Sequence, residues 1–275
     1  MNVRFAAKSI QGRRDYNQDR IFYRAENGCF MAAVADGMGG YSGGELASQI
    51  VVDLCERKFD LFASAPNVDM LEKMIREIIE ESRAMIRRKS EESAELKSMG
   101  TTLTIAAGCF GEYIVGNIGD SRTYLISGPD ITQLTKDNSF VQEYKNKYSA
   151  GAVEEAVLRN MSNALTRSLS SADHAVDIYP GENRRFALKE GAVLLLCSDG
   201  LIIDKVGDVS RQLLKLVRKA GSPAKAATAL IDWAYVNGSS DNISAILAFE
   251  GEWAMMKERA FLSLFRRLGK RGRRD

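Results

Sequence analysis

Four aspartates stand at the ends of short apolar segments, each beside glycine or a small polar residue. They are Asp36, Asp120, Asp199 and Asp241. A carboxylate at a strand end is held rigidly at the rim of a sheet, and a flanking glycine lets the backbone approach an ion closely. Several converging carboxylates would repel one another unless cations lay between them. The pattern therefore predicts a metal site with oxygen ligands, and Asp19, just before another apolar segment, is a further candidate.

Oxygen ligands without histidine or cysteine favour hard divalent cations. The 275 residues include one histidine and no Cys-x-x-Cys pair, which excludes a histidine-rich zinc site and argues against a histidine-based catalytic triad. Mg²⁺ and Mn²⁺ prefer carboxylate, carbonyl and water ligands. Two such ions about 4 Å apart can bridge a hydroxide and bind phosphoryl oxygens.

The alternative to a metal site is a set of unrelated turns. Asp-Gly is a common turn dipeptide, and for Asp36 taken alone a turn is the better interpretation. Four aspartates at strand ends, three of them beside glycine, favour the metal site. Spacing along the chain does not prove that the four side chains meet, so this expectation depends on the fold.

The aspartates are carried by predicted strands, and amphipathic helices lie between them. The predicted strands are 3–9, 21–24, 29–35, 101–107, 113–118, 123–126, 192–197 and 243–249. The predicted helices are 44–59, 68–90, 153–159, 209–220, 223–236 and one that begins near residue 253, while 136–151 is polar and unassigned. Runs of strands interrupted by paired helices predict an α+β fold with antiparallel sheets.

No linker or repeat divides the chain, so we expect one domain over 1–252 and a C-terminal helix with a basic tail over 253–275. The four cysteines lie in apolar segments, the N-terminus lacks a signal-peptide core, and no stretch is as long as a membrane span. We therefore expect buried, reduced thiols and a cytoplasmic protein.

The charge of the chain is unevenly distributed. The net charge is +2, which argues against a general nucleic-acid binder. Residues 266–275 carry +5 and the rest of the chain carries −3. The tail could form a basic amphipathic helix that contacts an anionic membrane or a partner. The favoured alternative is a last helix that packs on the domain with a solvated, charged end.

Seven ordered motifs resemble those of the bacterial metal-dependent protein serine/threonine phosphatases of type 2C, the PPM family. The motifs are Arg14-x-x-Asn17-Gln18-Asp19, Asp36-Gly37-Met38-Gly39-Gly40 with Gly44-Glu45-x-Ala47-Ser48, Met99-Gly100-Thr101-Thr102-Leu103, Gly116-Asn117-Ile118-Gly119-Asp120-Ser121-Arg122, Asn163-Ala164-Leu165-Thr166-Arg167, Ser198-Asp199-Gly200-Leu201 and Asp241-Asn242-Ile243-Ser244. The resemblance implies a four-layer α-β-β-α sandwich of two antiparallel sheets flanked by helices. It places metals in a cleft at one end of the sandwich.

The resemblance also implies roles for individual residues. Asp36 would bridge two Mg²⁺ or Mn²⁺ ions, and the carbonyl of Gly37 would bind one of them. Asp199 and Asp241 would complete the protein ligands of the first ion. Asp36, Asp199 and Asp241 are thus the expected catalytic carboxylates. Asp19 would hydrogen-bond to metal-bound water.

Two further roles follow from the same motifs. Asp120, with Asp199, matches the positions that hold a third, weaker metal in bacterial members. Arg14 matches the arginine that binds substrate phosphate, for which a planar guanidinium is suited. The implied reaction is direct hydrolysis of phosphoserine and phosphothreonine, in which a metal-bridging water attacks phosphorus.

The sequence departs from the family pattern at three positions, and its one histidine lies elsewhere. Tyr41 stands where bacterial members usually carry histidine, so leaving-group protonation would fall to water or to Tyr41. Gln18 replaces the usual glutamate, and a neutral amide is a weaker ligand for a hard cation. Asn138 stands where histidine is common. His174 lies away from these motifs, and we expect it to be a loop residue.

Three hypotheses for function follow. The first is a Mg²⁺/Mn²⁺-dependent protein phosphatase, expected to be a monomer that acts on proteins phosphorylated by a serine/threonine kinase and binds no nucleic acid. The second is a non-catalytic phosphoprotein-binding or regulatory module, supported only by Tyr41 and Gln18 and distinguishable by poor Mn²⁺ binding. The third is a phosphohydrolase for small molecules, which a closed pocket in place of an open cleft would favour.

Overall fold

Short apolar segments fold into two antiparallel sheets that pack face to face. The computed structural model describes residues 2–40, 42–147, 164–181 and 183–253. Its strands are β1 Val3–Ile10, β2 Asp19–Glu26, β3 Cys29–Met38, β4 Gly100–Thr101, β5 Leu103–Cys109, β6 Glu112–Ile118, β7 Arg122–Ser127, β8 Asp130–Gln133, β9 Asp177–Tyr179, β10 Phe186–Ala187, β11 Ala192–Cys197 and β12 Ile243–Glu250. One sheet has the order β1-β12-β11-β7-β8, and the other has β10-β6-β5-β3-β2, with β4 paired to β3 and β9 to β6.

The described α-helices are α1 Gly43–Ser64, α2 Leu71–Ser90, α3 Phe140–Lys147, α4 Val209–Lys219 and α5 Pro223–Val236. Helices α1 and α2 cover the outer face of one sheet, and α4 and α5 cover that of the other. In α2 the apolar residues at i, i+3 and i+4 spacing are buried, as the periodicity predicts. The side chains of Asp208 and Ser222 accept backbone N–H groups in the first turns of α4 and α5, which fixes where these helices begin.

The apolar residues form three layers of core. Residues of α1 and α2 pack on the outer face of the β3 sheet, and residues of α4 and α5 pack on the outer face of the β12 sheet. A third cluster, which includes Phe30, Val115, Leu196 and Ile246, lies between the sheets. The four-layer α-β-β-α sandwich implied by the motifs is confirmed.

The sequence missed several short elements. Strands β8, β9 and β10 and helix α3 have two to eight residues and lie in polar segments without a clear period. The predicted strand 101–107 is interrupted at Thr102, whose backbone N–H donates to the carbonyl of Asp36 (2.9 Å). The predicted helix at 153–159 and the tail after residue 253 lie outside the described residues.

The structure also addresses the expectations of buried, reduced cysteines and of no membrane-spanning stretch. All four cysteines are buried, and none forms a disulfide. No helix within the described ranges has both the length and the apolar character needed to cross a bilayer. The boundary expected after residue 252 stays a prediction.

Candidate functional site

The fold brings all five aspartates of interest to one end of the sandwich. In antiparallel sheets the end of one strand and the beginning of the next lie at the same edge. Asp19 begins β2 and Asp36 lies near the end of β3, while Asp120 lies on the crossover from β6 to β7. Asp199 follows β11 and Asp241 precedes β12. The last four, with Arg14, Gly37 and Gln18, line one cleft of about 380 Å³.

Two of these carboxylates are held opposite each other. Asp19 and Asp36 are directly paired across β2 and β3, so their side chains lie on the same face of the sheet. Asp19 is buried, whereas Asp36 is partly accessible from the cleft. Like charges at directly opposed strand positions are destabilising. The register therefore forces a repulsion that some other interaction must offset.

A chain of hydroxyl groups from the other sheet orients Asp19. Its Oδ2 accepts hydrogen bonds from Ser198 (2.8 Å) and Ser244 (2.6 Å). The hydroxyl of Ser244 lies 2.8 Å from that of Ser9, which accepts from the amide of Asn17 (2.9 Å). The two sheets are thus joined through one carboxylate, whose second oxygen has no hydrogen-bond partner among the described residues.

Threonines from the β4–β5 segment hold the backbone of Asp36. The hydroxyl of Thr101 and the N–H of Thr102 both donate to the carbonyl of Asp36, each at 2.9 Å. The N–H of Asp36 donates to the hydroxyl of Thr102 (3.1 Å). A further hydrogen bond (2.7 Å) joins Thr102 to Ser121, which follows Asp120 on the crossover. These bonds fix the carboxylate of Asp36 relative to the crossover loop.

Close backbone packing sets the positions of Asp199 and Asp241. A Cβ atom at Gly200 would lie 1.9 Å from the carbonyl oxygen of Asn242, so only glycine fits there. Ser239 donates to the carbonyl of Gly200 (2.8 Å). The segment after β11 and the segment before β12 are thereby locked together. This is the physical reason for the glycine that follows Asp199.

Arg14, which the motif resemblance assigns to substrate phosphate, lies at the cleft. Its terminal N–H donates to Oδ2 of Asp241 (2.7 Å), while Oδ1 of Asp241 accepts from the backbone of Asn242 (2.8 Å). The bond to Asp241 is the main cause that raises the pKa of Arg14. Half of the Arg14 side chain stays exposed to solvent. The assignment of Arg14 to substrate phosphate stays a prediction.

Asn138 secures the loop that carries Asp120. Its side-chain oxygen accepts from the N–H of Gly119 (2.9 Å), and its amide nitrogen donates to Asp177 (3.0 Å). Asp177 in turn pairs with Arg167 (2.7 Å). Asn138 is buried, which makes this departure from the family pattern a structural contact of the crossover loop.

Burial and mutual repulsion raise the pKa of four of the clustered carboxyl groups. Loss of hydration raises the pKa of Asp19 to about 7, and like charge on Asp199 and Asp241 adds to the effect. The pKa of Asp120 also rises to about 7, first because of burial and then because of Asp199. Burial and the neighbouring aspartates raise the pKa of Asp36 and of Asp199. The cluster is thus unfavourable for anions and favourable for cations.

The donor set fits hard divalent cations. Oδ1 of Asp19 and Oδ1 of Asp199 are buried and have no hydrogen-bond partner among the described residues. Buried carboxylate oxygens without partners are costly unless a cation or water satisfies them. Within the described ranges no three acidic, cysteine or histidine side chains form a tight cage around one point. Ions such as Mg²⁺, which keep several waters, need no tight cage of protein ligands.

Gln18 and Tyr41 are the other departures from the family pattern, and His174 is the one histidine of the chain. The amide nitrogen of Gln18 donates to the carbonyl of Gly40 (2.8 Å), so this side chain braces the glycine loop beside the cleft. His174 lies in a loop, with its ring Nδ1 3.2 Å from the backbone nitrogen of Ser168, as expected for a non-catalytic residue. Tyr41 lies outside the described residues.

Several residues that build the site were not identified from the sequence. Ser198, Ser244, Asn242 and Asn138 are buried polar side chains that hold the aspartates or their loops. Each lies inside or beside a motif, but serine and asparagine are common in turns, so type and spacing alone do not distinguish them. Their role depends on contacts between the two sheets.

Comparisons with known proteins match this chain to protein phosphatases. A profile of the family described as "Protein phosphatase 2C" matches residues 8–234. The serine/threonine protein phosphatase PstP of Mycobacterium tuberculosis is 33% identical over 249 residues, which is 90% of this chain and 45% of that protein. The chain therefore spans less than half the length of this relative. The serine/threonine phosphatase stp of Listeria welshimeri is 30% identical over 85% of this chain and 90% of its own length.

Solved structures show the same architecture. The M. tuberculosis phosphatase PstP/Ppp superposes with a TM-score of 0.77 at 29% identity, covering 91% of this chain and 99% of that one. The catalytic domain of PstP in complex with two manganese ions has a TM-score of 0.76 at 31% identity, covering 90% of this chain and 97% of that one.

The hydroxyl contacts to Asp19 yield a stability prediction. Ser244→Ala removes one of two donors to a buried carboxylate oxygen, which we expect to cost about 1–3 kcal/mol of unfolding free energy. Chemical denaturation measures the unfolding free energy of each variant. Ser64→Ala is the matched control, because the Ser64 hydroxyl only contacts the carbonyl of Leu61 at an exposed helix end (2.8 Å). Equal unfolding free energies for the two variants would contradict the role of Ser244.

The crowding of carboxylates yields a second prediction. In chelator at pH 8, above the ordinary pKa of an aspartate, Asp36 must either take up a proton or carry a repelled charge in the folded protein, because burial raises its pKa. Asp36→Asn removes this cost and should raise the melting temperature by a few degrees. Added Mn²⁺ should stabilise the unaltered protein and have little effect on the variant. The control is Asp232→Asn, whose exposed pair with Lys8 contributes little. A lower melting temperature for Asp36→Asn in chelator would show that repulsion does not dominate this site.

Proposed function

Because the chain belongs to the protein phosphatase 2C family, we propose that it hydrolyses phosphoserine and phosphothreonine in proteins and depends on Mn²⁺ or Mg²⁺. The observation that carries the proposal is the convergence of partly or fully buried aspartates on one cleft that also holds Arg14. The relatives named as serine/threonine phosphatases support the substrate class, and the manganese-bound PstP domain supports the choice of cation.

The chain offers oxygen ligands for two cations in this cleft. Asp36 lies on the face of β3 that points between the two sheets and would contact both ions, and the carbonyl of Gly37 would bind one of them. Asp199 and Asp241 face the cleft from the other sheet. When bound, such ions neutralise charge on phosphoryl oxygens and supply hydroxide near neutral pH. Asp120 is the proposed ligand of a third, weaker ion.

The remaining groups position the substrate and the carboxylates. Arg14 is held at the cleft by Asp241, and its remaining N–H groups can donate to phosphate oxygens in the planar geometry that guanidinium favours. Asp19, fixed by two serines, accepts a hydrogen bond from water on its free oxygen. The proton for the leaving serine or threonine oxygen comes from water or from Tyr41.

The partners and location follow from the same proposal. The substrates would be proteins phosphorylated by a serine/threonine kinase, and the enzyme would be a cytoplasmic monomer that binds no nucleic acid. The basic tail, outside the described residues, would make at most a weak contact with an anionic membrane or a partner. The substrate class rests on the named relatives, and the other statements rest on sequence composition.

The activity is tested with p-nitrophenyl phosphate and a phosphothreonine peptide. We expect hydrolysis with Mn²⁺, its loss on chelation, and a decrease of about a hundredfold or more in kcat for Asp36→Asn and Asp199→Asn, since each removes a ligand charge from the cations. Asp232→Asn, on the exposed face of α5, should retain full activity. Unchanged kcat in either cleft variant would refute the site assignment.

The tail is tested separately by liposome sedimentation. The full chain and a truncation ending at Ser263 are mixed with vesicles that contain anionic lipid. If the tail contacts membranes, only the full chain should sediment, and added salt should release it because the attraction is electrostatic. Equal recovery of the two proteins in the pellet would eliminate a membrane role.

A further inference from the structure

Two loops pack together to form one lip of the cleft. The side chain of Asn242 donates to the carbonyls of Gln11 (2.7 Å) and Tyr16 (2.8 Å). A Cβ atom at Gly12 would lie 2.0 Å from the carbonyl oxygen of Asp241, so the backbones touch. Loop 11–18, which carries Arg14, and loop 237–242, which carries Asp241, therefore form one continuous surface.

On this lip the guanidinium of Arg13 packs against the aromatic ring of Tyr235. Its guanidinium carbon lies 5.3 Å from the ring centroid, and one of its N–H groups donates to the carbonyl of Tyr235 (3.3 Å). Arg13 forms no ion pair with an acidic side chain in the part of the chain that the structure describes. The neighbouring Arg14, in contrast, is paired with Asp241 (2.7 Å). Arg13 is thus an exposed cation without a carboxylate partner.

The surroundings of Arg13 are suited to a polypeptide. Tyr235 is 43% exposed, and the adjacent Val236 is 78% exposed, so apolar surface lies next to the guanidinium. Arg13 directly precedes Arg14, which lines the cleft. A chain whose phosphorylated residue enters the cleft can therefore extend over Arg13, Tyr235 and Val236.

We propose that Arg13, held on Tyr235, forms a subsite that binds a glutamate or aspartate side chain flanking the phosphorylated residue. The inference rests on the proposed phosphatase function and adds a preference for acidic sequences. A guanidinium that is already stacked loses little side-chain freedom on binding, and its planar edge matches a carboxylate. The charge of Arg13 complements a carboxylate on the side of the phosphorylated residue that lies over this subsite.

Paired peptides test the subsite. One phosphothreonine peptide carries glutamates on both sides of the phosphorylated residue, and the other carries glutamines. For the unaltered protein we expect a higher kcat/KM with the glutamate peptide, mainly through KM. In Arg13→Gln the ratio of the two kcat/KM values should fall about three- to tenfold, as for a partly exposed charged hydrogen bond. For Arg13→Lys this ratio should lie between the ratios of Arg13→Gln and the unaltered protein, because lysine keeps the charge and loses the planar stack.

The matched control is Arg211→Gln, which removes the same charge from an exposed position on α4. It should leave the peptide ratio and the hydrolysis of p-nitrophenyl phosphate unchanged. A ratio that is the same in Arg13→Gln and the unaltered protein, or that falls equally in Arg211→Gln, would overturn the subsite.

A binding measurement separates this inference from the proposed function. The same two peptides are made with a nonhydrolysable phosphonate in place of phosphothreonine, and their affinities are measured by fluorescence anisotropy with Mn²⁺. The loss of the glutamate preference in Arg13→Gln supports the subsite even if no hydrolysis is found. An absence of hydrolysis by the unaltered protein refutes only the phosphatase function, and equal affinities for the two peptides refute only the subsite.

Discussion

The direct opposition of Asp19 and Asp36 across β2 and β3 is the constraint on which the rest of the site depends. The register brings two carboxylates onto one face, and Asp199 and Asp241 approach them from the other sheet. Burial raises the pKa of Asp19 and of Asp36, and the charges of the neighbouring aspartates add to the effect. Such a cluster is stable only when cations or protons offset the charge. This destabilisation is confined to one end of an otherwise apolar sandwich.

Small polar side chains are what make the arrangement precise. Ser198 and Ser244 fix one oxygen of Asp19, and Thr102 fixes the backbone of Asp36. Gly200 permits contact between the two segments that carry Asp199 and Asp241. Because these contacts connect both sheets, the positions of the aspartates depend on how the whole sandwich packs.

Much of the fold and site could be predicted from the sequence because their signals are local. The apolar period of α2 and the alternation of apolar runs with Asp-Gly turns identify the helix and the strand ends, and the ordered motifs supplied the architecture. The strand β8 and the short helix α3 could not be predicted, because their segments are short and polar and lack a clear period. The bond between Arg14 and Asp241 could not be predicted, because it joins residues distant in sequence. Asn138 shows the same limit, since only the structure reveals that it holds the loop of Asp120.

The central claim is that the clustered aspartates hold two divalent cations next to each other. Electron paramagnetic resonance of the protein loaded with Mn²⁺ tests it directly, because two manganese ions that share a bridging carboxylate are magnetically coupled. We predict a coupled-pair spectrum for the unaltered protein, replaced by the six-line signal of isolated Mn²⁺ in Asp36→Asn. An uncoupled six-line spectrum for the unaltered protein at saturating Mn²⁺ would contradict the account.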